Sequence, residues 1–232
     1  IIFFTAIILS GNRMPLLLFV FSIFLILILN KQTIKYFLPF VIIFSVIFAI
    51  IFNFNSEVRT NFENLHKQIY KTTLILLNKD LGNESVPSYF REFSSFYETW
   101  KLNKYIGGGI KTFRYYCHLR DKIDKNSKFI CNMHPHNYYL EILTETGLIG
   151  FIVCMSIFSI ILYFSLFKKY FSASSLRNNI IVVPFIFLFL MEIFPLRSSG
   201  SFFTTLNTTY IFLIIGILTG LIRKENSIEK KY

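Results

Sequence analysis

Long runs of apolar residues without charge are the feature that most limits what this chain can fold into. A helix that crosses a bilayer needs roughly 20 such residues, and a mean hydropathy of +0.53 over 232 residues is too high for a soluble domain. Five runs qualify in whole or in part, at residues 14–30, 36–52, 147–167, 180–194 and 205–222. We therefore predict an all-α fold, a polytopic transmembrane helical bundle built from these spans.

The chain begins inside a further apolar run, residues 1–9, without a methionine. A cleaved signal peptide would have a charged start and a small-residue cleavage site, and this run has neither. We expect it to be part of a truncated span, and the chain to be a fragment that has lost earlier helices.

Positive charge divides the connections into two groups. Short loops rich in lysine and arginine stay in the cytoplasm, and three such connections alternate with the others: residues 30–35, residues 168–177 and the tail. The long polar segment then lies in the periplasm, where long loops escape this rule. The net charge of +11 thus reports topology rather than a nucleic-acid partner. We predict four regions. Residues 1–53 are spans with short loops, and residues 54–137 are a large periplasmic helical loop. Residues 138–222 are an interfacial helix with further spans, and residues 223–232 are a cytoplasmic tail.

Two helices are predicted within the periplasmic loop. Residues 56–78 mix charged side chains with apolar ones near helical spacing. Residues 89–104 place several aromatic rings on one side, which suits a position at the membrane interface. Residues 81–88 are rich in turn formers and are predicted to be a loop.

Three consecutive glycines, Gly107 to Gly109, follow the second predicted helix. Glycine lets a ligand or another backbone approach closely. One interpretation is a phosphate cradle, although the Lys-Ser/Thr pair of a P-loop is missing. The other is a plain turn after the helix.

Cys117 and Cys131 lie in the same loop, whereas Cys154 lies alone in a later span. In an oxidising compartment the first two would form a disulfide that closes a loop of about 15 residues, worth ~3 kcal/mol. The alternative is a zinc site made by Cys131, His134 and His136, whose fourth ligand would have to be Cys117. We favour the disulfide and predict no metal.

Residues 131–150 join the polar loop to the next span and crowd ionisable and aromatic side chains at that boundary. Pro135 suits the first turn of a helix, and apolar residues recur beyond it at helical spacing. His136 and Asn137 then fall at the N-terminus of an interfacial helix. Because free backbone N–H groups and the positive end of the helix dipole point outward there, we expect this terminus to suit an anionic ligand.

Arginines gather on the same predicted side of the membrane. Arg13 precedes a helix start in the short turn of residues 10–15, and it is either an anchor that reaches the interface or an anion clamp. Glu192 lies near the outer end of a span, where an ionisable group must be paired or functional. Arginines bind phosphate oxygens with two hydrogen bonds, and histidine is the usual general base near neutral pH. These arginines and histidines suit a lipid that carries phosphate or pyrophosphate; they are Arg13, Arg91, Arg114, Arg197, His134 and His136.

The sequence also resembles the O-antigen ligase and O-antigen polymerase superfamily of bacterial envelope glycosyltransferases, as the carboxy-terminal half of such a protein. The ligases have an Arg followed four positions later by Leu, as in Arg13 and Leu17, and a His followed eleven positions later by Gly, as in His136 and Gly147. Residues 136–141 are similar to the family's His-Asn-aromatic-Leu sequence, and residues 107–113 to its Gly-x-Gly-x3-Phe segment. Asn12 and Met14 depart from the family, which often has small residues there.

This resemblance implies a metal-independent, inverting transfer of a glycan from an undecaprenyl pyrophosphate carrier, without a cofactor, in the bacterial inner membrane. His136 would deprotonate the acceptor and Arg13 would bind the pyrophosphate. Arg91, Arg114, Arg197 and Asn137 are expected to support substrate binding. We expect Arg13 and His136 to meet at one cavity at headgroup depth.

Three other functions remain open. A polymerase uses the same donor and differs in its acceptor, which is another carrier-linked glycan instead of lipid A core sugar. A transporter of a lipid-linked anion would place ionisable residues within its spans, and these spans have almost none. A structural protein that binds anionic polymer accounts for the charge but not for the His-Asn pair.

Overall fold

The computed structural model describes residues 2–11, 13–29, 34–77, 86–119, 131, 134–167, 182–195, 197 and 200–229. Every regular element among them is helical, which confirms the predicted all-α membrane fold. Most of the predicted loops at residues 81–88 and 30–35, and all of that at residues 168–177, lie outside the described residues. The chain forms two compact units, Ile1–Pro87 and Ser88–Tyr232, and each is described separately below.

The first unit contains α1 (Ile2–Leu9), α2 (Arg13–Leu29), α3 (Phe37–Phe54) and α4 (Ser56–Leu76), with a 3₁₀ turn before α3. α1 packs against α2 and α3, and α3 packs against α4. Phe4, Ile8 and Val58 form the buried centre of this unit. Apolar side chains from three helices thus meet around α1.

Asn55 alone separates α3 from α4. Its side-chain oxygen accepts hydrogen bonds from the backbone N–H groups of Glu57 and Val58, at 3.0 and 3.1 Å. Arg59 donates back to the carbonyl of Asn53 at 2.7 Å, at the end of α3. Asparagine is a favoured residue at a helix start. The membrane helix therefore ends at Phe54, two residues later than predicted, and the polar helix begins at once.

The second unit contains α5 (Ser88–Trp100), α6 (Phe113–Tyr116), α7 (Tyr138–Leu162), α8 (Val182–Glu192) and α9 (Thr205–Glu229). α5 packs against α7, while α8 packs against α9. α9 continues seven residues beyond the predicted end of its span at Ile222. The arginine, lysine and glutamates that follow are good helix formers, so the charged tail extends the helix.

Three helices are long and apolar enough to cross a membrane among the described residues. They are Phe37–Phe54, Tyr138–Leu166 with its short π-helical end, and Thr205–Lys224. The other two predicted spans are represented by shorter apolar helices, α2 with 17 residues and α8 with 11.

α7 is interrupted at Gly147, whose φ of 66° and ψ of −170° are not helical. The chain from Lys104 to Lys111, which we call the glycine turn, crosses α7 at this break. The carbonyls of Lys104 and Tyr105 accept hydrogen bonds from the backbone of Leu148 and Ile149, at 2.8 and 3.1 Å. These bonds replace helical bonds that the break at Gly147 removes.

The other side of the crossing is bonded as well. Gly108 and Gly109 donate backbone hydrogen bonds to the carbonyls of Thr144 and Glu145, at 3.3 and 2.8 Å. Lys111 donates its backbone N–H to the Glu145 carboxylate at 2.7 Å. The N–H groups of a phosphate cradle are therefore already used. The glycines serve the close approach of two backbones, and the phosphate-cradle interpretation is wrong.

A methyl group at position 147 should destabilise this crossing. A Cβ on Gly147 would overlap the carbonyl group of Tyr105 and the backbone nitrogen of Gly107, and its backbone conformation is essentially restricted to glycine. We expect Gly147→Ala to lower the free energy of unfolding by at least ~2 kcal/mol, measured by thermal unfolding in detergent.

Gly216→Ala is the matched control, because it lies within α9 and a Cβ there meets no atom within 4 Å. It should leave stability unchanged or raise it by about 0.5–1 kcal/mol. Equal stability of the two variants would contradict the crossing.

Candidate functional site

The start of α7 carries His136 and Asn137. His136 is exposed and has a φ of 51°, in the left-handed region that few non-glycine residues adopt. The side-chain oxygen of Asn137 accepts hydrogen bonds from the backbone N–H groups of Tyr139 and Leu140, at 3.0 and 3.1 Å. Asn137 is thus the N-cap of α7.

This cap corrects one expectation. We expected free backbone N–H groups at this terminus to bind an anion, but Asn137 satisfies those of Tyr139 and Leu140 itself. Its carbonyl also accepts the N–H of Glu141 at 3.2 Å. Any anion bound beside His136 therefore depends on side chains more than on the helix terminus.

Asn137 also fixes the start of α7 to the chain that follows α8. Its side-chain nitrogen donates to the carbonyl of Pro195 at 2.8 Å. The Tyr139 hydroxyl donates to the carbonyl of Ile193. Asn137 is buried and its amide is bonded at both ends, so it ties the residue after His136 to the chain that follows α8.

Glu141, one turn further along α7, connects this helix to a second segment. Its side chain is buried, and its carboxylate accepts hydrogen bonds from the Ser201 hydroxyl and the Phe202 backbone N–H. Hydrogen bonds of this kind offset much of the cost of burying a charge. The loop before α9 is therefore fastened to the same helix end as the chain after α8.

Glu192 connects Arg197 to this helix. One carboxylate oxygen accepts a hydrogen bond from the Tyr138 hydroxyl at 2.9 Å, and the other forms an ion pair with the Arg197 guanidinium. The sequence required that an ionisable group here be paired or functional, and the structure pairs it. Through Glu192, Arg197 is therefore linked to Tyr138, which is the second residue after His136.

The two histidines before α7 are in contact. The ring centroids of His134 and His136 lie 4.5 Å apart with their planes at 66°. Burial, and secondarily the nearby His136, lower the pKa of His134 below its ordinary value of 6.5. Both effects disfavour the imidazolium form of His134, so this ring contributes less positive charge beside His136 than an ordinary histidine would.

The remaining predicted arginines are placed on other helices. Arg114 is exposed on α6, and Arg91 is partly buried on α5, which packs against α7. In the first unit, Arg13 begins α2 and donates to the side-chain oxygen of Gln68 in α4 at 3.0 Å. The meeting of Arg13 and His136 at one cavity stays a prediction.

A disulfide joins Cys117 to Cys131, with their Cα atoms 5.7 Å apart. The Nδ1 atom of His118 lies 3.6 Å from the sulfur of Cys131. Among the described residues, the group with metal-ligating atoms is Cys117, His118 and Cys131 rather than the set with His134 and His136 that the sequence suggested. Both sulfur atoms of that group are bonded to each other in the structure.

Two buried carboxylates of α7 were not singled out among the candidate residues. Glu141 and Glu145 lie four residues apart on a mostly apolar helix, and each is 2% exposed. The signal was available, since acidic residues at that spacing share one face and need partners when buried. Their partners come from segments 34 to 61 residues away and could not be identified from spacing.

The contact between the histidines can be tested by titration. His136→Ala removes the smaller of the two causes that lower the pKa of His134. We expect that pKa to rise toward its ordinary value, while burial keeps it below. The measurement is NMR of histidine-labelled protein in nanodiscs. The control is His66→Ala, an exposed residue of α4, which should leave the pKa of His134 unchanged. An unchanged titration of His134 in His136→Ala would contradict the ring contact.

The chain matches a known protein family. A family model described as O-antigen ligase matches residues 1–155, about two thirds of the sequence. That range includes Arg13, the glycine turn, His136 and Gly147. No curated protein and no solved structure matches. The resemblance drawn from the motifs is confirmed, and the chain belongs to the O-antigen ligase family, whose broad activity is the transfer of lipid-linked glycans.

Proposed function

We propose that this protein transfers a glycan from an undecaprenyl pyrophosphate carrier to a sugar hydroxyl at the periplasmic face of the bacterial inner membrane. One observation carries the proposal. In a chain of the O-antigen ligase family, an exposed histidine stands directly before a helix start that is fixed by Asn137. A general base must be accessible to the acceptor and carried by a backbone of defined position.

His136 is the base in this proposal. Its imidazole takes the proton of the acceptor hydroxyl as that oxygen attacks the anomeric carbon of the donor sugar. The bond from that carbon to the pyrophosphate oxygen breaks on the opposite side, so the configuration inverts and the carrier pyrophosphate leaves. General-base help of this kind is worth typically 10²–10⁴-fold in rate.

Arginines stabilise the leaving group. Pyrophosphate leaves with its negative charge spread over several oxygens, and fixed guanidinium groups can bind them without a metal ion. We assign Arg13 as the main ligand and Arg91, Arg114 and Arg197 as supporting ones. Arg197 is pre-positioned by its ion pair with Glu192, which leaves other N–H groups of its fork for the donor.

Asn137 has a positioning role in this mechanism. Its amide caps α7 and reaches Pro195, so the contacts support an indirect effect through His136. We propose this positioning role for Asn137 in place of a direct contact with the substrate. Asn137→Ala should reduce transfer by displacing the base rather than by weakening binding of the donor.

Loss of the base should abolish transfer. His136→Ala is expected to lower glycan transfer by 10²–10⁴-fold while the protein still inserts into the membrane. Gel analysis of lipopolysaccharide from a deletion strain that carries the variant measures transfer, and an immunoblot of membranes measures insertion. His66→Ala, an exposed histidine of α4, is the control and should behave as the wild type. Normal surface polysaccharide with His136→Ala would remove His136 from this role.

The same gels distinguish a ligase from a polymerase. In the deletion strain, core without any O-chain and polymer held on the lipid carrier indicates a ligase. Core with a single repeat indicates a polymerase, which shares the donor and the mechanism.

Arg13→Lys tests the pyrophosphate ligand. Lysine keeps the charge but loses the planar fork that binds two oxygens at once. We expect a marked loss of surface polysaccharide at unchanged protein level. Full transfer with Arg13→Lys would favour the simple interfacial anchor.

A further inference from the structure

The glycine turn exposes large apolar side chains. Ile106 is 78% exposed, and Tyr105 and Ile110 are also exposed. A turn that lies in water does not ordinarily present such a group of side chains, because burying them is favourable by roughly 1.5–3 kcal/mol each. The turn is therefore a candidate contact surface, and its partner can be inferred from its position.

The glycine turn is bonded to α7 at the point where that helix becomes apolar. Leu148 and Ile149 donate to the carbonyls of Lys104 and Tyr105. Ile149 is 59% exposed, and Ile152 and Val153, one turn further, are exposed as well. The exposed apolar side chains of the turn thus adjoin those of a helix that is suited to cross a membrane.

The length of α7 sets the depth of the turn. The roughly 20 residues that follow Gly147, up to Leu166, rise about 30 Å, the thickness of the hydrocarbon core. The part before Gly147 contains the buried, hydrogen-bonded Glu141 and Glu145, which are better placed outside hydrocarbon. Gly147, and the turn bonded beside it, therefore fall at the level of the lipid headgroups.

The charged side chains around the turn are of the kind expected at the level of the lipid headgroups. Lys104, Lys111 and Arg114 are exposed on the turn and just after it, while the exposed Lys101 before it is ion-paired with Glu98. Basic side chains near a bilayer surface are attracted to lipid phosphates, by about 1 kcal/mol for each one when the lipids are anionic. Apolar tips beside a basic rim are typical of a segment that lies in the interface.

We propose that the glycine turn inserts into the headgroup layer of the membrane, with Ile106 and Ile110 reaching the acyl-chain boundary. The partner is the phospholipid bilayer. Insertion holds the polar part of α7, and His136 at its start, at a constant depth. The alternative is a protein that covers the same surface, and the test below distinguishes a protein from the bilayer.

Depth-dependent fluorescence quenching tests this proposal. The chain has one tryptophan, Trp100, so a variant with Trp100→Phe and Ile106→Trp moves the fluorophore to the tip of the turn. It is reconstituted in nanodiscs of phospholipids brominated on the acyl chains near the headgroup. The positive control is Trp100→Phe with Ile152→Trp, an exposed position on the membrane helix.

We expect the indole at position 106 to lose at least half as much intensity in brominated lipid as the indole at position 152, and to be shielded from iodide in the aqueous phase. Strong quenching by iodide with no quenching by brominated lipid would overturn the proposal. Shielding from both quenchers would also overturn it and indicate a protein partner.

A measurement on the unsubstituted chain tests the proposal without depending on whether the variants fold. The indole N–H of Trp100 donates to the carbonyl of Lys104 at 2.9 Å, so this ring lies at the base of the turn. Brominated lipid should quench Trp100 partially, with less quenching than at position 106. Trp100 that is untouched by brominated lipid and fully open to iodide would contradict an inserted turn.

Discussion

The crossing of two backbones at Gly107 and Gly147 is the constraint on which the rest of the second unit depends. A helix that breaks near a membrane leaves peptide groups without partners, and hydrocarbon supplies none. Here Lys104 and Tyr105 supply carbonyls to the residues after the break, while Gly109 donates to the carbonyl of Glu145 before it. Only glycine allows the two chains this close, which gives both glycine motifs of the sequence one physical reason.

The crossing fixes one end of the polar part of α7, and the candidate site lies at the other end. There Asn137, Tyr139 and Glu141 bind the chain after α8 and the loop before α9. A short helix held at both ends keeps His136 in a defined place while leaving its ring exposed. Preorganisation of this kind would suit the general-base role that we propose for His136, because a small displacement costs rate.

Much of the fold could be predicted from the sequence, because apolar runs and helical periodicity are local signals. The helix at residues 56–78 was found at Ser56–Leu76, and that at residues 89–104 at Ser88–Trp100 with a following 3₁₀ turn. The break between α3 and α4 was misplaced by two residues because the cap of Asn55 outweighs the polarity of Asn53.

The site was less predictable, because its contacts join distant segments. The sequence points to the His-Asn pair, but it does not show that the amide of Asn137 caps the helix and reaches Pro195. Three consecutive glycines indicate that another backbone segment approaches closely, but not which segment it is. The partners of Glu141 and Glu192 were not recognised either, since a carboxylate in an apolar helix shows that a partner is needed and not which residue it is.

Hydrogen exchange at Gly109 tests the central claim most directly, because its amide is bonded to α7 across the crossing and lies outside the apolar part of that helix. In nanodiscs we predict that this amide exchanges as slowly as those within α7, and that Gly147→Ala removes the protection. Exchange at the rate of an unstructured peptide in the unsubstituted protein would show that the crossing does not exist in solution, and the polar part of α7 would then be held only at its Asn137 end.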